Sequence, residues 1–344
     1  MKHKRQADRN KSIDELVDHW TRGSRTDLDL AAIRDLIRFL DKELYSQYEP
    51  FVQKAPFWER FAGWVQNVTK EAEQQALFRL VPWLLFVGKS ELNMMYESAF
   101  RGPITRWLIE TAGLDICDPS LRDHLAGEIR HTWFGSLAGM DLGSFMRING
   151  IEEQSLRPDF GVLSELADTH KIAEYMAGKS HVNDASSPRY RRIVIVEDFV
   201  GTGTQMKAAI RCLQNMQGTP VLICPMISAD EGCQAGRKIT AQYPHIQFEE
   251  YHRISSSARL QSNNSLLNVE GEVMPVHSII EQTWERLRGS DSYDEPYGFK
   301  NHGILLLTYL NCPNNVPPML HREVKDTGPS GGWMPLFPRA NREV

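Results

Sequence analysis

The chain has 344 residues, which is too long for one small domain and long enough for two. Its composition, 41% hydrophobic and 24% charged, is that of an ordinary soluble protein. The net charge of −5 excludes a surface that is basic throughout, which is the kind of surface that favours nucleic-acid binding. No apolar run reaches the ~18 residues of a membrane span. The five cysteines form no CxxC motif or Cys/His cluster, so neither a zinc site nor a disulfide framework is indicated, and a cytoplasmic location is expected.

The first residues, MKHKRQADRNK (1–11), are a local exception to the acidic balance, because Lys and Arg outnumber a single Asp. The segment lacks the apolar stretch of a secretory signal. Chain termini of this kind are commonly disordered, so we expect a basic flexible tail, with a binding arm as the alternative interpretation.

Residues 1–125 are predicted to form a helical N-terminal region. In residues 27–48 apolar side chains recur every three or four positions, as on one face of a helix: Leu30, Ile33, Leu36, Ile37, Leu40 and Leu44. After Pro50 and Pro56, a second set of bulky side chains shares one helical face: Phe57, Trp58, Phe61, Trp64 and Val65. Aromatic stripes at this spacing usually form a hydrophobic core, so we expect packing here rather than a ligand site.

The sequence changes in character near residue 126. The run IVIVE (193–197) is continuously apolar up to its last residue, as in a strand buried on both faces of a parallel sheet. Residues at helical spacing follow from Thr204, and VLICPMI (221–227) is the next apolar run. Strand, helix and strand within about 35 residues make a βαβ unit. We therefore predict that residues 126–344 form an α/β domain, a parallel sheet with flanking helices, after an all-helical region.

The segment EDFVGTGTQ combines two acids with a loop suited to binding anions. Glu197 and Asp198 come at the predicted carboxyl end of a strand, where open α/β sheets bind their ligands. Gly201 and Gly203 allow the backbone to turn tightly, and the helix predicted after them directs free N–H groups into the loop. A ribose 5-phosphate would use both parts, since its hydroxyls can donate to carboxylates while its phosphate binds the loop.

Other interpretations of this segment are weaker or purely structural. The GxxxxGK[ST] pattern of a Walker loop is absent. A dinucleotide fingerprint would need a third Gly where Met206 stands, and the two acids would repel a pyrophosphate. In the structural alternative, Glu197 and Asp198 only end a strand and cap the turn that follows it.

The segment IVIVEDFVGTGTQ resembles the phosphoribosyl pyrophosphate (PRPP) motif of phosphoribosyltransferases. The resemblance identifies Glu197 and Asp198 as the acid pair and assigns phosphate binding to one loop: Gly201, Thr202, Gly203, Thr204 and Gln205. Gln205 stands where the family usually has Thr or Ser. The wider chain, through SAFRGPITRWLIE, FGSLAGMDLGSFMRI and NCPNNVPPMLH, is similar to the PRTase-CE-like group of bacterial conflict systems, some of which are encoded beside retron reverse transcriptases.

The resemblance implies a second ligand loop and a metal ion. In phosphoribosyltransferases a loop early in the sheet binds pyrophosphate, and the corresponding candidates here are Gly139, Met140, Asp141 and Gly143. Mg²⁺ is implied as the ion that bridges pyrophosphate and sugar, with Asp198 and Glu197 as ligands through the substrate. Asp198 is the expected main catalytic carboxylate, and Glu197 is its expected partner on the ribose hydroxyls or the metal.

The same resemblance implies a toxic effector of anti-phage defence that uses PRPP or a related ribose phosphate. Its expected partner is a reverse transcriptase with its DNA product, which would hold it inactive; an oligomer is also possible. Two alternatives stay open at this point. A non-catalytic regulator would bind the nucleotide without turnover, and a nucleosidase or glycosyl hydrolase would use the same ribose site with water as acceptor.

Overall fold

The computed structural model describes residues 11–22, 27–53, 55–137, 140–152, 172, 176, 190–256, 259–260, 268–269, 272–273, 276–288, 295–325 and 332–339. The chain divides into two compact units, Met1–Lys89 with Ser257–Val344, and Ser90–Ser256. They are called the first and the second unit below. The domain boundary predicted after residue 125 follows a change in secondary structure and stays a prediction. The predicted tail lies outside the described residues except for Lys11.

The first unit is mainly helical. Its helices and strands are α1 (Ile13–Trp20), α2 (Asp27–Glu43), α3 (Phe57–Val65), α4 (Glu71–Leu80), β1 (Leu85–Val87), β7 (Asn268–Val269), β8 (Glu272–Val273), α11 (Val276–Leu287), β9 (Leu306–Thr308) and α12 (Pro318–His321). Short 3₁₀ turns lie at Tyr45–Gln47, Glu49–Gln53, Val81–Trp83 and Phe299–Asn301. Strand β1 pairs in parallel with β9, and β7 pairs antiparallel with β8.

The core of the first unit is aromatic, as the sequence predicts for α3. Phe57, Phe61 and Trp64 are fully buried. The ring of Phe337 lies 5.3 Å from that of Tyr45, so residues distant in sequence share this core. Not every apolar residue of the predicted helical faces is buried: Leu36 on α2 is 45% exposed.

The second unit contains the strands of the predicted α/β sheet. Its elements are α5 (Lys89–Ala99), a π-helical turn (Phe100–Ile104), α6 (Thr105–Ala112), α7 (Leu121–Arg130), β2 (Thr132–Ser136), α8 (Leu142–Ile148), β3 (Arg192–Val200), α9 (Thr204–Leu213), β4 (Val221–Ala229), α10 (Asp230–Gln242), β5 (Ile246–Phe248) and β6 (His252–Ile254). Helix α5 begins at Lys89, the last residue before this unit.

The sheet of the second unit is parallel throughout its described strands. Its order is β2-β3-β4-β5, and β6 also pairs with β4. Ile193 and Ile195 on one face of β3 belong to a core that includes Met206 of α9. Alternation along the strand turns Val194 to the opposite face. The predicted fold class, a helical N-terminal region followed by an α/β sheet, is confirmed.

Strand β3 is longer than the run IVIVE from which it was predicted. Its pairing with β4 continues through Phe199↔Ile227 to Val200↔Ser228. Glu197 and Asp198 therefore lie within β3 and not at its end. Strand β4, a buried strand of nine residues, pairs with this stretch of β3 and keeps it extended. Among the described residues, no helix has the length and apolar character needed to cross a membrane.

Candidate functional site

The two acids lie at the carboxyl edge of the sheet although β3 continues past them. Strand β2 ends at Ser136, which is opposite Val196, and β5 ends at Phe248, which is opposite Ile223 of β4. From Glu197 onward, β3 therefore runs beyond the end of β2 and keeps its pairing with β4. The acids therefore lie past the end of one neighbouring strand, at the edge where parallel sheets bind ligands.

Glu197 is buried and holds the beginning of the loop after β2. Its side chain is 5% exposed, and its Oε2 atom accepts a hydrogen bond of 2.9 Å from the N–H of Leu137. Leu137 directly follows β2 and precedes the predicted pyrophosphate loop. A buried carboxylate that accepts a backbone N–H fixes the position of that backbone. The structure thus connects Glu197 with the second predicted loop.

Asp198 is half-buried and points to the other face of the sheet. Its Oδ1 atom accepts a hydrogen bond of 2.5 Å from the hydroxyl of Tyr96, a fully buried residue of α5. Adjacent residues of a strand face opposite sides, so the two carboxylates have different surroundings. The acid pair is therefore two separate groups, one on the side of α9 and one on the side of α5.

The loop after β3, residues 201–205, leads directly into the start of helix α9. Gly203 has φ +72° and precedes the first residue of α9, so the helix starts without a side-chain cap at that position. The hydroxyls of Thr202 and Thr204 are 2.9 Å apart, and Gln205 is exposed in the first helical turn. The N–H groups of a first turn and the positive end of the helix dipole attract phosphate.

A model of the PRTase-CE family matches residues 61–339 of the sequence. The chain belongs to the PRTase-CE family. The match includes both described loops and the acid pair, and it extends into the C-terminal part of the first unit. A search of curated proteins and a search of solved structures found no match. A phosphoribosyltransferase-like function follows from this membership.

Helix α10 packs closely against the end of β3 and the loop after it through small residues that were not among the predicted site residues. A Cβ atom on Gly232 would lie 2.6 Å from the carbonyl oxygen of Val200 and 2.9 Å from that of Gly201. A Cβ on Gly203 would lie 2.7 Å from the Cβ of Ala235. Small residues at positions 232 and 235 were the available signal, since they permit close approach of a helix to backbone.

The predicted pyrophosphate loop contains residues with ordinary roles at the start of a helix. Asp141 is the N-cap of α8: its carboxylate accepts from the N–H of Ser144 at 3.0 Å and from the Ser144 hydroxyl at 2.5 Å. Gly143 lies inside α8 and Met140 is buried. Gly139 lies outside the described residues. A role of these four residues in pyrophosphate binding stays a prediction.

A further ion pair follows β4 at the same edge of the sheet. Asp230, the first residue of α10, accepts 2.6 Å hydrogen bonds from the N–H of Ser256 and from the Arg253 guanidinium. These bonds, the Ser256 N–H first and the Arg253 side chain next, lower the pKa of Asp230 below its usual value. This pair was not predicted, because Asp230 and Arg253 are 23 positions apart in sequence and no motif links them.

The donor set of the site fits magnesium held mainly by a ligand's own oxygens. Within the part of the chain that the structure describes, no group of three His, Cys, Asp or Glu residues is placed to hold a metal. Mg²⁺ commonly binds one or two carboxylates together with substrate phosphates. Asp198, half-buried and three residues before Gly201, suits that mode. Glu197 suits it less, because its carboxylate is buried and bonded to Leu137.

Proposed function

We propose that the second unit binds PRPP or a related ribose 5-phosphate at Asp198 and residues 201–205, and transfers its phosphoribosyl group. One observation carries this proposal. At one edge of the sheet, the half-buried carboxylate of Asp198 is followed three to seven residues later by the loop in which Gly203 starts helix α9. A ribose 5-phosphate needs both, since the loop can bind its phosphate while the carboxylate accepts from its hydroxyls.

The two acids have different parts in this proposal. Asp198 contacts the ribose and supplies negative charge beside the sugar as positive charge develops at C1. Glu197 holds the N–H of Leu137 and thereby sets where the loop after β2 leaves the sheet. Glu197 is thus a positioning residue for the loop expected to receive the pyrophosphate end of the ligand.

In phosphoribosyl transfer the bond between ribose C1 and the pyrophosphate oxygen breaks, and its electron pair leaves with the pyrophosphate. An atom of the acceptor forms the new bond to C1 and loses its proton to the surroundings. Asp198 and residues 201–205 hold the sugar between these two groups, which lowers the entropic part of the barrier. Magnesium, when bound with the ligand, would neutralise charge on the leaving pyrophosphate.

The biological role that we propose is that of a toxic effector in a retron-type anti-phage defence system. The similarity to proteins of bacterial conflict systems supports this role. The effector would act in the cytoplasm and would be held inactive by a reverse transcriptase with its DNA product. The basic segment at residues 1–11 and the helical N-terminal region are the proposed partner surface, because the basic segment would attract nucleic acid.

The reaction is tested by incubating the purified protein with PRPP, nucleotides or NAD and magnesium, and by measuring pyrophosphate, free base and ribose phosphate. Pyrophosphate release is expected from the wild type. Asp198→Asn is expected to lower that rate at least ~100-fold with its fold intact, because a charge beside the reacting sugar is lost. Asp123→Asn, an exposed carboxylate on α7, is the matched control and should be fully active.

The other outcomes of this experiment separate the alternatives. Free base without pyrophosphate would identify a hydrolase that uses the same ribose site. Binding without any product would identify a regulatory module. Full activity of Asp198→Asn would refute the assignment of the site itself.

A further inference from the structure

Tyr96 connects helix α5 with the acid of the candidate site. The residue is fully buried, and its hydroxyl donates a hydrogen bond of 2.5 Å to Oδ1 of Asp198. The two residues are 102 positions apart in sequence. No pattern around Tyr96 in the sequence indicates this contact, so only the folded structure brings the phenol to the carboxylate.

Two other fully buried tyrosines, Tyr45 and Tyr48, have a different kind of partner. Tyr45 and Tyr48 are equally buried, and their hydroxyls donate to the backbone carbonyls of Val81 and Pro338. Such bonds satisfy a buried phenol and need no further explanation. The Tyr96 hydroxyl instead donates to a carboxylate, and a hydrogen bond to a charged group is shorter and stronger than a neutral one.

The backbone of Tyr96 is fixed by a second contact. The side-chain amide of Asn149, the residue after α8, donates to the carbonyl oxygen of Tyr96 at 3.3 Å and to that of Phe145 at 2.9 Å. The rings of Tyr96 and Phe145 meet edge to face at 5.7 Å. Tyr96 is thus held by the helix whose N-cap is Asp141, so its hydroxyl has little freedom to leave Asp198.

The end of helix α5 is shaped by the π-helical turn that follows it. Pro103 lies inside this turn and has no N–H to give to the regular helical pattern. The Thr105 hydroxyl donates to the carbonyl oxygen of Phe100 at 2.7 Å. The Phe100 ring lies 6.2 Å from Phe134 of β2 and 6.2 Å from Phe145. Single π turns occur often at functional sites, and the Phe100 ring packs this one against β2 and α8.

We propose that Tyr96 is a positioning residue for Asp198, whose carboxylate it holds in the orientation that the ribose hydroxyls of the ligand require. The inference rests on the proposed function. Without the phenol hydroxyl, Asp198 loses a short hydrogen bond that orients its carboxylate, and the ligand must restrict the added freedom when it binds. The expected consequence is weaker ligand binding in a protein that remains folded.

The test is isothermal titration of Tyr96→Phe with PRPP and magnesium. Phe keeps the ring packed against Phe145 and removes only the hydroxyl, so the expected result is about 10-fold weaker binding, as for a lost bond to a charged group. Tyr48→Phe is the matched control, because it removes an equally buried hydroxyl whose partner is a backbone carbonyl. It should bind PRPP like the wild type, even if its melting temperature falls.

Unchanged PRPP affinity in Tyr96→Phe, with binding by the wild type, would overturn the inference about Tyr96 alone. No binding by the wild type would overturn the proposed function, and the role of Tyr96 with it. A double-mutant cycle adds a second readout: in the Asp198→Ala background, Tyr96→Phe should change affinity less than about 2-fold, since the side chain that accepts its hydrogen bond is already removed. A full and additive 10-fold loss there would show that Tyr96 acts on the fold and not through Asp198.

Discussion

The loop after β3, residues 201–205, and the loop after β2, residues 139–143, were assigned to the two ends of the same ligand on different grounds. The first has glycines and hydroxyls that suit a phosphate, and it follows two acids that suit the hydroxyls of a ribose. The structure places it at the start of a helix at the sheet edge. The second was assigned by its place in the chain. Of its described residues, Asp141 caps helix α8, Gly143 lies inside that helix, and Met140 is buried. The first assignment thus has a helix start at the sheet edge to support it, and both assignments stay predictions.

The largest expected effect in this comparison is that of Gly203→Ala. At φ +72° a side chain is strained, and its Cβ would lie 2.7 Å from the Cβ of Ala235. We expect about 1–3 kcal/mol lower stability and at least ~10-fold weaker PRPP binding, since the loop must shift. Chemical denaturation and calorimetric titration measure the two effects. Gly218→Ala is the control, because a Cβ there meets nothing within 4 Å and should change neither.

A smaller effect tests whether the second loop is more than a helix start. Asn caps a helix about as well as Asp, so Asp141→Asn should keep α8 while removing the charge, whereas Asp141→Ala should cost about 1 kcal/mol of stability. If Asp141 only caps α8, the PRPP affinity of Asp141→Asn will equal that of the wild type in a titration with magnesium. Loss of affinity in Asp141→Asn, at unchanged stability, would instead assign this carboxylate to the ligand or its metal.

Much of the fold could be predicted because its signals are local. The apolar run before Glu197 and the helical spacing after Thr204 predict β3 and α9, which the structure contains. The end of β3 could not be placed, because pairing with β4 carries the strand past the acids to Val200. Strand length here depends on a neighbouring strand, which the pattern within one segment does not contain.

The candidate site was predictable in the same uneven way. Glu197 and Asp198 follow from their position beside an anion loop, and even their opposite orientations follow from strand geometry. Their partners do not. Leu137 and Tyr96 reach the two carboxylates through contacts 60 and 102 residues apart in sequence. Contacts over such distances in sequence depend on how helices and strands pack. The composition of the segments around Leu137 and Tyr96 does not predict them.

The most direct test of the account is a crystal structure of the protein with PRPP and magnesium. We predict that the 5-phosphate lies against the N–H groups of residues 201–205 at about 3 Å. We also predict that the ribose hydroxyls contact Asp198 while the Tyr96 bond is kept. A 5-phosphate bound elsewhere, or a ribose that leaves Asp198 untouched, would contradict the central claim that this acid and this loop form one ribose-phosphate site.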